Sequence, residues 1–255
     1  MVAKKYRVAL LFGLLLFVIM EQVRQHWHTT DWDHPLWVVI YPINADGRDS
    51  TARYIQALSE DHFDDIETFF AQQGRRYKLG IAQPVEVQLA PPISELPPPL
   101  PTSPSAFDRM TWSLEVRYWA SQNDSYEKAS PDIKIYVLYF DPKLKQHLPH
   151  SIGLEKAKLG IVHAFASPRQ AKQNNVIISH ELLHTVGASD KYDPLSNLPA
   201  FPHGYAEPNL QPRYPQKRAE LMGGRIPLSE QEARIPKSLD EVIVGEQTAQ
   251  EINWR

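Results

Sequence analysis

Two histidines four residues apart, with a glutamate after the first, are the residues of this chain best suited to chemistry: His180-Glu181-Leu182-Leu183-His184. On a helix, positions i and i+4 lie on one face. Both imidazoles can then reach one zinc ion at about 2.0–2.1 Å. Glu181 lies beside that face, placed to take a proton from a water on the metal. Val176, Ile177, Ile178, Leu182, Leu183 and Val186 supply an apolar side for the core. From 10 histidines and 16 glutamates in the chain, chance would produce the motif roughly 0.02 times.

The next residues narrow the reading. Gly187 follows His184 by three positions and can take a positive φ, ending the helix abruptly. The chain then turns back, and Asp190 can offer a carboxylate oxygen to the same ion. Requiring Gly and then His or Asp at these positions lowers the chance figure to the order of 10⁻⁴.

This stretch resembles the metzincin clan of zinc proteases, whose run is H-E-x-x-H-x-x-G-x-x-H. Asp190 stands where that run ends in His, a substitution that characterises the snapalysin-like members. Glu220-Leu221-Met222-Gly223-Gly224 resembles the clan's Met-turn, which implies that Met222 lies under the metal. The resemblance covers about residues 180–224. It implies one catalytic Zn²⁺ held by His180, His184 and Asp190, with Glu181 as general base and Gly187 and Met222 as structural residues near the metal. It also implies an α/β (α+β) fold: a single metzincin-like catalytic domain with a mixed twisted sheet, an active-site helix and a C-terminal helix. In the clan an extended peptide lies antiparallel to an edge strand just before the active-site helix, which by position is Gly160–Ala166.

Other groups compete for these roles. Glu207, 23 residues past His184, suits a thermolysin-like arrangement with a distant third ligand, and His203 is a further candidate. Tyr192, Tyr205 and Tyr214 are each possible donors to a transition-state oxyanion. The expected function is hydrolysis of peptide bonds in extracytoplasmic proteins or peptides, through a zinc-activated water. A zinc-stabilised binding module without proteolysis and a zinc amidase acting on cell-wall peptides are the alternatives. Glu181 argues against the binding module, because holding zinc needs only the ligands.

Hydrophobic patterning places the motif among alternating elements. Leu36–Tyr41, Val85–Leu89, Ile133–Phe140 and Gly160–Ala166 read as strands. Helices are expected over about 50–73, 107–122 and 174–186. Seven prolines fall between Ala90 and Ser105, predicting an extended surface insertion. Residues 187–236, rich in Pro, Gly, Asn and Tyr, read as ordered loop. Ser238-Leu239-Asp240-Glu241 has the form of a capping box, predicting a helix to about Asn253.

Composition sets the wider limits. A chain of 255 residues with 42% hydrophobic content is globular, and its net charge of −3 argues against a nucleic-acid partner. It has no cysteine, which excludes disulfides, thiolate nucleophiles and iron–sulfur clusters. Lys4, Lys5 and Arg7 precede an apolar run from Val8 to Met20, the pattern of a signal anchor or a signal peptide. Residues 1–24 are thus expected to bind a membrane, 25–35 to form a juxtamembrane linker, and 36–255 to form the catalytic domain. The basic flank stays in the cytoplasm, which puts the domain on the extracytoplasmic side. In a two-membrane bacterium that is the periplasm, and cleavage of the segment would release a secreted protein.

Overall fold

The computed structural model describes residues 29–101, 105–145 and 147–255, together with Tyr6, Phe12, Gly13 and Met20. The segment read as an anchor, as a whole, and linker residues 25–28 lie outside these. Among the described residues no helix is long and apolar enough to cross a membrane.

Runs of β-branched and aromatic residues form the sheet. In chain order the first elements are β1 (Leu36–Asn44), α1 (Asp49–Gln56), α2 (Asp64–Arg76), β2 (Val85–Leu89), α3 (Ala106–Gln122) and β3 (Ile133–Phe140). They are followed by β4 (Ile152–Leu154), β5 (Leu159–Phe165) and α4 (Ala171–Thr185). Five strands make one mixed sheet in the order β2-β1-β3-β5-β4. Four are parallel, with Ile135 opposite Gly160, and β4 runs antiparallel to β5 with Gly153 opposite Gly160. The near-continuous apolar sequence of β3 fits a strand covered on both faces. One face, with Ile40, Ile135, Val137 and Val162, packs against α2 and α4 through Phe70, Ile178 and Leu182. The other, with Val39, Tyr41 and Tyr136, packs against Trp112, Val116 and Trp119 of α3. Each such buried side chain contributes about 1.5–3 kcal/mol relative to exposure.

Past α4 the chain forms short pairings rather than plain loop. β6 (Ala219–Glu220) pairs with β9 (Val242–Ile243), and β7 (Ile226–Pro227) with β8 (Ala233–Arg234). A six-residue helix, α5 (Glu246–Glu251), follows.

Four expectations need correction. The helix over 50–73 is two helices, α1 and α2, separated by a 3-10 turn at Glu60–Phe63, where the Ser59 N–H donates to His62 Nδ1 at 3.1 Å. The capping box at Ser238 starts no long helix. Glu241 is instead held by the two terminal guanidinium nitrogens of Arg234, and the β-branched Val242-Ile243 continues as a strand. Gly160–Ala166 is not the sheet edge, because β4 covers the first half of β5. Finally, the end of the supposed linker belongs to the core: Trp32 is 5% exposed, stacks edge-on against Trp254 and donates to the Ile252 carbonyl at 2.6 Å.

Candidate metal centre

His180 and His184 lie one turn apart on α4, as the i, i+4 spacing requires. Their Nε2 atoms are 3.1 Å apart, and each is 3.1 Å from Asp190 Oδ1. Their Nδ1 atoms face backbone carbonyls: His180 towards Leu221 at 2.9 Å and His184 towards Ala188 at 2.8 Å. A carbonyl can only accept, so each Nδ1 carries the proton and each Nε2 lone pair points inward. With both imidazoles neutral, two lone pairs and a carboxylate oxygen converge with no donor among them, which is unfavourable unless a cation, a proton or a metal ion, sits between them. The three residues form the one group among the described residues that could hold a metal ion.

Gly187 and the chain after it bring Asp190 into place. Gly187 has φ +105°, a backbone open to glycine at little cost. Its N–H donates to the His184 carbonyl, and the Ala188 N–H to Leu183, closing the helix end. The same turn aims the Ala188 carbonyl at His184.

The Leu221–Gly223 turn is the second support. It is a 3-10 turn with Met222 fully buried. Its Leu221 carbonyl fixes His180, and its Met222 carbonyl accepts the Lys191 N–H at 2.8 Å, next to Asp190. Glu220 holds the turn from below, accepting from Gly223 N–H, Gly245 N–H and the Thr248 hydroxyl at 2.8, 3.0 and 2.7 Å. Burial pushes the Glu220 carboxyl up, against these donors.

Charge at the centre is tightly coupled. Burial lowers the proton affinity of His180, but Asp190 and Glu181 outweigh it and raise its pKa to about 9. Burial raises the Asp190 carboxyl, but hydrogen bonds from His180 and His184 hold it well below the ordinary carboxylate range. An environment that favours a proton on His180 favours a metal cation for the same reason. Glu181 is 5% exposed, and its Oε2 has no hydrogen-bond partner among the described residues. Burial raises its pKa, opposed by the two histidines.

Tyr192 lines the cleft, its ring centroid 6.3 Å from that of His180. Burial and the neighbouring Asp190 push its hydroxyl up to about 12. Tyr205 and Tyr214 bond each other at 2.8 Å and do not line the cleft. His203 and Glu207 are outside the cluster, with Glu207 lying 3.8 Å from Arg218.

Three supporting residues escaped the sequence reading. Glu251 of α5 accepts from the N–H and hydroxyl of Ser189, both at 2.9 Å, and from Lys191 Nζ at 2.7 Å, bracing both neighbours of Asp190. Lys158 Nζ donates to the Thr185 carbonyl at 3.0 Å, satisfying the C-terminus of α4. Gly153 lets β4 lie directly on α4, where a Cβ would overlap His184 Cβ and sit 2.6 Å from the Glu181 carbonyl oxygen. Only the glycine itself, one residue into a short strand, marks this approach in the sequence.

In comparisons with known proteins, the chain matches no family model and no curated sequence.

Proposed function

We propose that the protein is a metzincin-like zinc endopeptidase that hydrolyses peptide bonds of proteins or peptides outside the cytoplasm. The observation that carries this reading is the convergence of His180 Nε2, His184 Nε2 and Asp190 Oδ1 beside the buried Glu181, whose Oε2 has no hydrogen-bond partner among the described residues. Ligand atoms of a tetrahedral ion at 2.0–2.1 Å are about 3.3 Å apart, and the three separations here are each 3.1 Å. Two imidazoles and a carboxylate are also a donor set that zinc takes in hydrolases, with a position left open.

Bound there, zinc would supply a Lewis acid that lowers the pKa of a water and polarises a substrate carbonyl. Glu181 takes the proton from the attacking water and later gives it to the leaving nitrogen. Its burial in the cleft disfavours the charged carboxylate and so favours its taking up a proton. Tyr192, protonated at neutral pH, donates to the developing oxyanion. β4 leaves its outer edge unpaired among the described residues, and an extended substrate can add to it as a further strand. The segment Tyr6–Val23 would hold the enzyme at a membrane.

The test is digestion of casein by the zinc-loaded full chain, in detergent, beside Glu181→Gln. The expected result is cleavage by the wild type and none by a variant carrying equal zinc. Equal cleavage by both would contradict the role of Glu181, and its absence from both would contradict the protease reading.

A further inference from the structure

The cleft beside the metal ligands has a volume of about 370 Å³. Its floor is α4 with Ile177, His180 and Glu181, and β5 contributes His163 and Phe165. The lining also includes Leu221, Gly223, Gly224 and Arg225 after the turn, and the loop with His147 and His150.

Arg225 is the one lysine or arginine in this lining, and it is partly buried. Its backbone N–H is satisfied by the Gly223 carbonyl. Its guanidinium, with five donors, has no carboxylate, carbonyl or aromatic partner among the described residues. Other arginines in this part of the chain are engaged: Arg234 by both oxygens of Glu241, and Arg213 over the ring of Phe201 at 4.0 Å. The lining contains one acid, Glu181, which the proposed reaction reserves for proton transfer. A guanidinium on a partly buried wall with no protein partner has only water to bond in the free protein. It gains when a carboxylate arrives, which its planar fork meets with two parallel hydrogen bonds. The imidazoles of His147, His150 and His163 add donors and no fixed negative charge.

We infer that Arg225 selects substrates carrying an acidic side chain close to the cleaved bond. This rests on the peptidase reading, and it names the substrate class of that same cleft. Arg225 here is a specificity residue, not one that touches the reacting atoms.

The test uses the zinc-loaded full chain and peptides in which Glu or Gln occupies in turn each of three positions on either side of the cleaved bond. At one position, kcat/KM for Glu should exceed that for Gln by about tenfold or more. Within Arg225→Gln the ratio should fall to near one, and within Arg225→Glu a Lys peptide should become the preferred one. Cleavage with equal kcat/KM for Glu and Gln at every position would overturn the acidic preference while leaving the peptidase reading intact. If no peptide is cut, the peptidase reading fails, and fluorescence anisotropy of labelled peptides on zinc-loaded Glu181→Gln decides the inference separately. Tighter binding of the Glu peptide, lost when Arg225→Gln is added, supports it. Equal binding of the Glu and Gln peptides overturns it.

Discussion

Replacing Gly153 by alanine should damage the centre through one added methyl group. Gly153 lies in the edge strand β4, opposite Gly160, and β4 rests on α4 at the turn that carries Glu181 and His184. The new Cβ would sit 2.6 Å from the Glu181 carbonyl oxygen and would overlap His184 Cβ. Ordinary C···O contacts begin near 3.3 Å, so strand and helix must part by about 0.7 Å at the carbonyl and further at His184. The crowding atoms are backbone and a helix Cβ, so rotamer changes cannot relieve it. Overpacking of this kind costs about 1–3 kcal/mol. At roughly 2–4 °C per kcal/mol for a domain of this size, the melting temperature should fall by about 2–12 °C. A metal ligand moved by nearly an ångström should also lower kcat/KM by about 10²-fold. Calorimetry and casein digestion read the two effects. Gly80→Ala is the control, because a Cβ there meets nothing within 4 Å. If Gly153→Ala melts and cuts like the control, the close approach of β4 to α4 is wrong, and so is the idea that it fixes His184.

Three further outcomes are expected. Tyr192→Phe should lower kcat by about 10²-fold with zinc content and KM little changed, as loss of an oxyanion donor does; an unchanged kcat would remove Tyr192 from the mechanism. Glu251→Gln should weaken zinc binding by about tenfold in competition with a chelator, since it loosens both neighbours of Asp190; unaltered affinity would show that Asp190 needs no brace. The hydrogen bonds from Arg234 hold the Glu241 carboxyl down at about 2. A depressed carboxylate contributes stability that is fully present above its unfolded pKa near 4.5 and is lost as pH falls towards 2. Glu241→Gln should therefore flatten the decline of melting temperature between pH 4.5 and 2, and an identical decline in both proteins would refute the pairing.

What could be read from the sequence was what local rules govern. The i, i+4 histidines fix a shared helix face, Gly187 marks a helix end, and Leu221-Met222-Gly223 marks a turn, and the structure brings all of these together. The long apolar strands were legible because burial on both faces leaves continuous hydrophobic runs. Short elements set by distant partners were not. β4 has three residues and no alternation, so only its pairing with β5 defines it. The 238–253 region has helix-starting residues, but Arg234 takes the carboxylate of Glu241, and pairing with β6 keeps Val242–Ile243 extended. Glu251 reaches Ser189 across 62 positions, a contact that no local pattern announces.

A crystal structure of the zinc-loaded chain, with anomalous scattering recorded at the zinc edge, tests the metal centre most directly. One zinc peak is expected, bonded to His180 Nε2, His184 Nε2 and an Asp190 oxygen, next to Glu181. Zinc bound instead through His203 or Glu207, or a chain that retains no zinc, would rule out the His180–His184–Asp190 site.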